Sequence, residues 1–486
     1  MKEGWFLLIV FIVSLLLISL LSAFTFHHTF ITTDENAFIF QAKTFAEGKL
    51  YVPSHPLRSF FNSTGLVNDG RYFSKYFPSH ALLMVPGIWL KAPYLIPHLL
   101  SALGLLITYL IARECYNVKI ATCATLLTLA SPLYLFISST LYSVITSFFF
   151  ISLFILCFLK MLRRDGILYP IFSAVGLGIA FNARPLDALV VSFPFVLYGL
   201  YKLKKEKGYV RRYLLFAGCF SIFIIMFLSY NGALTGNPFY TTYDYYSDIN
   251  NTPYDHYGLS EFHSFQKGLA KTFYNLKRLN TWLFGWPFSL IFILLFPLIR
   301  GKKVWDYIFL SVFIVLVVEY LFHWYPGVPE TGPLYYYSAV GVLSILTTRS
   351  IARLQEISRG MGRSITKYIV PLFVMASFLY SFFIFYPGEI DYIQQTTLSR
   401  QDPYFLIQEK GIKNAIIFLQ NSPYDFISQN YVINSPELKD DILLVNDMGK
   451  KNKLLMDYYP KRNYHRYKFN YQTGKGNITP LYRKDF

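Results

Sequence analysis

Long apolar runs alternate with short polar ones along most of the chain. A helix needs about 20 apolar residues to cross a bilayer core, and the first such run is 5–26. Further spans are expected at 95–113, 118–138, 141–160, 167–183, 186–202, 213–231, 282–300, 305–325, 334–349 and 367–386, about eleven in all. Three segments are too long to be connectors: 27–94, 232–281 and the tail 387–486. Long structured loops carry function more often than simple connections do. In the tail, 415–419 and 442–445 are short apolar strand candidates, and 464–471 alternates aromatic and polar residues like a half-buried strand. Asn446 and Asp447 can cap a helix running to Tyr458. The expected architecture is a polytopic α-helical membrane protein over 1–386, followed by a small α/β domain over 387–486.

Composition agrees with a membrane protein. Hydrophobic residues make up 54% of the 486 and charged residues 15%, whereas soluble chains carry about 25% charge. A soluble globule and a disordered chain are both excluded. The net charge of +17 suggests nucleic acid until the charges are placed. Together with Lys2, one set of alternate loops holds about twenty basic residues against about six acidic ones. Among them are Lys160, Arg163, Arg164, Lys202, Lys204, Lys205, Arg211 and Arg212. Positive loops face the cytoplasm, so the N-terminus is expected inside and the C-terminus outside. The excess charge then fixes topology, and no nucleic-acid partner is needed. All three long segments fall on the outer side. The four cysteines (Cys115, Cys123, Cys157, Cys219) lie in or beside spans, which leaves no structural disulfide for the outer segments.

Two outer motifs carry chemistry. Asp34-Glu35 stands just beyond the first span, before a helical stretch at 37–47. Thr33 or Asp34 can cap that helix, and its dipole favours acids in the first turn. The same carboxylates, partly desolvated at the membrane face, can also serve as a general base or metal ligand. Downstream, Asp69-Gly70 marks a turn. Arg71 and Lys75 then sit among aromatics in Arg71-Tyr72-Phe73-Ser74-Lys75-Tyr76-Phe77-Pro78-Ser79-His80. They form either an aromatic belt with snorkelling cations or a cation pair for a lipid phosphate. A carboxylate loop and a cation loop flanking one entrance favour the second reading.

The order Asp34-Glu35, Gly48-Lys49-Leu50-Tyr51, then Tyr72-Phe73-Ser74-Lys75-Tyr76-Phe77-Pro78 resembles the first outer loop of the GT-C polytopic glycosyltransferases, near glycosyltransferase family 39 and the aminoarabinose and protein-mannosyl transferases. Arg184-Pro185-x-Asp187-Ala188, Tyr230-Asn231-Gly232-Ala233-Leu234-Thr235-Gly236-Asn237-Pro238 and Phe284-Gly285-Trp286-Pro287 extend the resemblance along the chain. It implies a sugar donor carried on a polyprenyl phosphate and an extracytoplasmic acceptor. It also implies an inverting displacement with a carboxylate base, in the inner membrane of a prokaryote. Asp34 is then the expected base, with Glu35 next. Lys75, Arg71 and Arg184 are the expected phosphate ligands, and Tyr72, His80, Glu319, His323 and Tyr335 are further cavity candidates. Three positions depart from the family pattern. His80 stands where relatives have glycine, Val144 where they often have histidine, and Leu334 where they often have arginine. These departures allow a different donor head group or a loss of catalysis.

Other signals are weaker. Glu319 near His323 reads either as an intramembrane functional acid or as a hydrogen-bonded pair. Asp244, Asp248, Asp255, His256, Glu261 and His263 crowd the second outer segment without diagnostic ligand spacing. No cofactor is expected, and only the superfamily analogy allows a divalent cation. Trp305-Asp306-Tyr307 resembles an oligosaccharyltransferase fragment but falls on the cytoplasmic side. Rival readings are a lipid-linked sugar flippase and a non-catalytic protein of the same fold. No inverted repeat of the transporter kind is visible.

Overall fold

The computed structural model describes residues 3–485 except 251, 253–256, 299–300, 326, 361–365, 421–433 and 471–472. Helix α1 (Glu3–Phe24) leads into a cap segment containing α2 (Thr33–Ala46), a three-stranded sheet and α3 (Pro78–Trp89). The strands are β1 (Val52–Pro53), β2 (Leu66–Asp69) and β3 (Arg71–Ser74), all antiparallel, with Gly70 turning β2 into β3 as expected. The bundle continues through α4 (Leu95–Cys115), α5 (Val118–Leu129), α6 (Pro132–Ser138), α7 (Val144–Arg163), α8 (Leu168–Ala183), α9 (Pro185–Lys205) and α10 (Val210–Thr235). Then come α11 (Thr242–Asn250), α12 (Phe265–Trp282), α13 (Ile291–Leu295), α14 (Val304–Tyr320), α15 (Val340–Gly360), α16 (Thr366–Tyr380) and α17 (Tyr386–Glu409).

Among the described residues, six stretches are long and apolar enough to cross a membrane. They are α1, α4, α7, α9, α10 and Tyr368–Leu398. Helices α5 and α6 make a seventh if counted as one span bent by 58°. The bend has a local cause: Ser131 accepts from the Tyr134 amide, and Pro132 occupies the first position of a new helix. The other expected spans are shorter or broken. Helix α8 has only 16 residues, and 334–349 opens with a 3-10 turn at Leu334–Ala339. The stretch 282–300 breaks into α13 and a 3-10 turn at Phe296–Leu298, flanked by Pro287 and containing Pro297, which removes two amide donors from any continuous helix. The chain is a multi-pass integral membrane protein.

The tail is α/β. Strands β4 (Ala415–Leu419), β5 (Ile442–Asn446), β6 (Asn463–Asn470) and β7 (Lys475–Pro480) form one sheet in the order β5-β4-β6-β7, with helix α18 (Asn452–Tyr458) between β5 and β6. The first three strands are parallel and β7 is antiparallel. Strand β4 is an unbroken apolar run, as a central parallel strand must be. Strand β7 escapes the sequence pattern because Gly476 and Asn477 interrupt any alternation. The expected boundary at 386 lies inside a continuous helical stretch, since α16 passes through a π turn at Ser381–Phe385 directly into α17.

The three long segments meet. The Tyr246 hydroxyl accepts from the Gly65 amide at 3.2 Å, and the Thr242 hydroxyl donates to the Lys75 carbonyl at 2.7 Å. Asn446 donates to the Asn62 carbonyl at 2.8 Å. Phe60 and Phe61 pack against Ile416, Phe418, Leu443 and Val445 of the tail sheet. Asp306 sits far from this cap, 14 residues before Tyr320 along α14, or roughly 20 Å of helix. There it accepts from the Tyr116 hydroxyl at 2.5 Å and pairs with Arg349 at 3.3 Å.

Candidate functional site

The N-cap of α2 is Thr32, one residue before Thr33 and two before Asp34, the two expected caps. That shift sorts the two carboxylates. Glu35 takes the third helical position and folds back, as in a capping box. Its Oε2 accepts from the amides of Ile31 at 2.7 Å and Thr32 at 3.2 Å, and its Oε1 accepts from the Leu141 amide at 2.9 Å. Burial pushes its carboxyl up to about 7, against the opposing pull of these three donors. Glu35 therefore braces the start of α2 against the loop before α7, and it does not line the cavity.

Asp34 lies one step, about 100°, round the same helix. It faces a cavity of about 1130 Å³ enclosed by all three long segments and the bundle. The Tyr76 hydroxyl bonds to it. Burial, with the Asp34 charge adding to it, holds the Tyr76 phenol well above its ordinary range, so it remains a donor.

Lys75 lines the same cavity. It is 91% buried, with its ammonium 4.4 Å from the Tyr246 ring centroid, 5.3 Å from Tyr243 and 5.6 Å from Tyr76. Such faces attract a cation. Arg184 stands at the junction of α8 and α9 and also lines the cavity. Its Nε donates to Asp187 at 2.9 Å, and Asp187 in turn accepts from the Tyr320 hydroxyl at 2.6 Å. This fixes the guanidinium beneath the Tyr335 ring, 5.8 Å from its centroid. Tyr335 and His323 complete that wall, with the His323 Nε2 2.9 Å from the Tyr335 hydroxyl.

The structure thus brings Asp34, Lys75, Arg184, His323 and Tyr335 together and places the other candidates elsewhere. Arg71 is exposed, donates to the Ala233 carbonyl at 3.1 Å and lies 4.9 Å from the Tyr51 ring. It locks β3 onto the end of α10. Tyr72 donates to the Phe61 carbonyl at 2.8 Å from inside the cap core. His80 is buried between the Leu141 carbonyl and the Thr146 hydroxyl, each 2.8 Å away. Glu319 does not pair with His323; it is buried, and neither carboxylate oxygen has a hydrogen-bond partner among the described residues. Asp244 and Asp248 accept from Thr241 and Tyr240, and Asp255 and His256 lie outside the described residues. Among the described residues no three His, Cys, Asp or Glu side chains converge as metal ligands do.

The sequence pattern missed several lining residues. Arg400, on α17, pairs with Glu330 at 3.1 Å and donates to the Ile31 carbonyl just before α2. No local motif marks either partner. Tyr243 and Tyr246 carried a faint signal, since their i, i+3 spacing puts both on one helical face.

The comparisons bear on the fold. The crystal structure of ArnT from Cupriavidus metallidurans bound to undecaprenyl phosphate is similar over 95% of this chain and 89% of that one, with a TM-score of 0.57 and 13% identity. The apo structure of the same protein gives 94% and 88%, 0.58 and 13%. The chain shares the fold of that protein. No protein-family model and no curated protein sequence matches it.

Proposed function

We propose that this chain is a glycosyltransferase that moves one sugar from a polyprenyl phosphate to an extracytoplasmic acceptor in a prokaryotic inner membrane. One observation carries the proposal: a carboxylate (Asp34) and two cations (Lys75 and Arg184) converge on a single cavity in a GT-C fold. Undecaprenyl phosphate, bound by the structurally similar ArnT, is a donor carrier of the matching chemistry.

Asp34 removes the proton of the acceptor hydroxyl while that oxygen attacks the anomeric carbon from the face opposite the phosphate. The new carbon–oxygen bond forms as the bond to the phosphate oxygen breaks, and the configuration inverts. The departing lipid phosphate gains charge, which Lys75 and Arg184 stabilise from fixed positions. The Tyr76 hydroxyl holds the Asp34 carboxylate in place until it takes the proton. Leu334 and Val144 carry no charge in place of the arginine and histidine of the family pattern, and Arg400, which lines the cavity from the tail side, is paired with Glu330.

The test is transfer of a radiolabelled sugar from native lipid extract by the purified chain. Asp34→Asn should abolish transfer while leaving undecaprenyl phosphate binding intact. Undiminished transfer would remove Asp34 as the base, and loss of lipid binding alone would reassign it to the donor site.

A further inference from the structure

Helix α12 falls almost entirely in the outer segment 232–281 and has three distinct faces. Gly268, Thr272, Asn275, Leu279 and Trp282 are buried. Phe265, Leu269 and Phe273 follow one another at i, i+4 and i+8 and are 55%, 54% and 71% exposed. Lys267, Lys271 and Arg278 lie on the side away from that apolar stripe, Lys277 follows Phe273 at i+4 on the stripe's flank, and the helix contains no acidic residue. A soluble loop has no reason to hold three large apolar side chains in water in a single row.

The buried face locates the helix relative to the bundle. His263, just before α12, lies 3.0 Å from the Leu321 carbonyl, one residue beyond the end of α14. A side chain at Gly268 would collide with the same carbonyl. Lys271 donates to the His323 carbonyl at 3.1 Å, and Arg278 donates to the Val328 carbonyl at 3.2 Å. Helix α12 therefore crosses the end of α14 and, with His263, holds the carbonyls of Leu321, His323 and Val328, and the side chains of His323, Trp324, Tyr325 and Val328 line the cavity.

We infer that α12 lies in the plane of the membrane surface and docks on anionic phospholipid. Its Phe265–Leu269–Phe273 stripe enters the acyl boundary, and Lys267 and Lys277 meet the phosphates. An apolar stripe with basic side chains opposite and beside it, on a helix with no acidic residue, is the pattern of an interfacial helix, and basic side chains near an anionic leaflet gain attraction one by one. The bilayer surface then holds one wall of the cavity through the Lys271 and Arg278 contacts. This assignment stands independently of the transferase reading.

The test uses the full chain in nanodiscs of phosphatidylcholine with phosphatidylglycerol, some lipids carrying bromine high on the acyl chain. Phe273→Trp adds an indole on the apolar stripe, and Tyr274→Trp adds one on the opposite side. Fluorescence beyond that of the parent chain should be quenched by bromine for the first variant and spared for the second. Native mass spectrometry should show retained phosphatidylglycerol falling about fivefold for each lysine neutralised in Lys267→Gln and Lys277→Gln. Quenching of both indoles or of neither overturns the in-plane seating, as does a dimer that shields the Phe273 face. Unchanged phosphatidylglycerol retention overturns the headgroup assignment.

Discussion

Adjacent carboxylates with opposite roles make the sharpest prediction. Removing Glu35 with Glu35→Ala leaves the Ile31 and Leu141 amides without an acceptor, and both bonds lie in buried surroundings. An unsatisfied buried donor costs about 1–3 kcal/mol, so the pair implies a loss of about 2–6 kcal/mol. Asp34→Asn strands nothing, because the Tyr76 hydroxyl can still donate to the amide oxygen. It removes the general base, which is worth about 10²- to 10⁴-fold in rate. The assay pairs thermal unfolding in detergent with single-turnover sugar transfer on the same preparations. Asp34→Asn should unfold with the parent chain and transfer at least about a hundredfold more slowly. Glu35→Ala should unfold at a clearly lower temperature, and the fraction still folded should transfer at near-parent rate. The opposite pattern, a stable Glu35→Ala with no transfer beside an active Asp34→Asn, would refute the assignment of both residues.

Four further outcomes are expected. The Glu35 carboxyl ionises near 4.5 when unfolded and at about 7 when folded. Only the folded state holds its proton in that window, so stability should fall as pH rises from 4.5 through 7, by roughly 3 kcal/mol; denaturant titration against pH should show this slope, and Glu35→Ala should flatten it. Lys75→Gln should weaken binding of undecaprenyl phosphate by about 10- to 100-fold, the worth of one charged hydrogen bond, measured by lipid titration. Arg400→Gln should loosen the Ile31 turn and lower transfer, and a double-mutant cycle with Glu330→Gln should return a coupling of about 0.5–3 kcal/mol. Gly285 sits at φ +69, and a side chain there would meet Ser381 at the π turn and Pro132; Gly285→Ala should destabilise by about 1–3 kcal/mol, and Ser381→Ala should relieve part of that in a thermal-shift series.

The pattern of residues was informative where a local sequence decides a local structure. Tail strands β4 and β5 stand where their apolar runs placed them, Asp69-Gly70 turns the hairpin, and the three long segments gather at one end, as segments on one side of a membrane can. Prolines account for only part of the span pattern: 118–138 came apart at Pro132 and 282–300 around Pro287 and Pro297, whereas α9 runs unbroken through Pro194. The site was harder to read for a geometric reason. Arg71, Tyr72, His80 and Glu35 sit in conspicuous motifs, yet each finds partners that hold it away from the cavity: the end of α10, the Phe61 carbonyl, the α3–α7 contact and the amides before α2. Arg400 and Glu330 sit in no motif, and their importance arises only when a helix leaving the bundle returns to the loop before α2. A motif shows that a residue type has been placed near an entrance. Whether it faces the cavity depends on tertiary partners and, for Asp34 against Glu35, on the about 100° that separates neighbours on a helix capped at Thr32 rather than at Thr33 or Asp34.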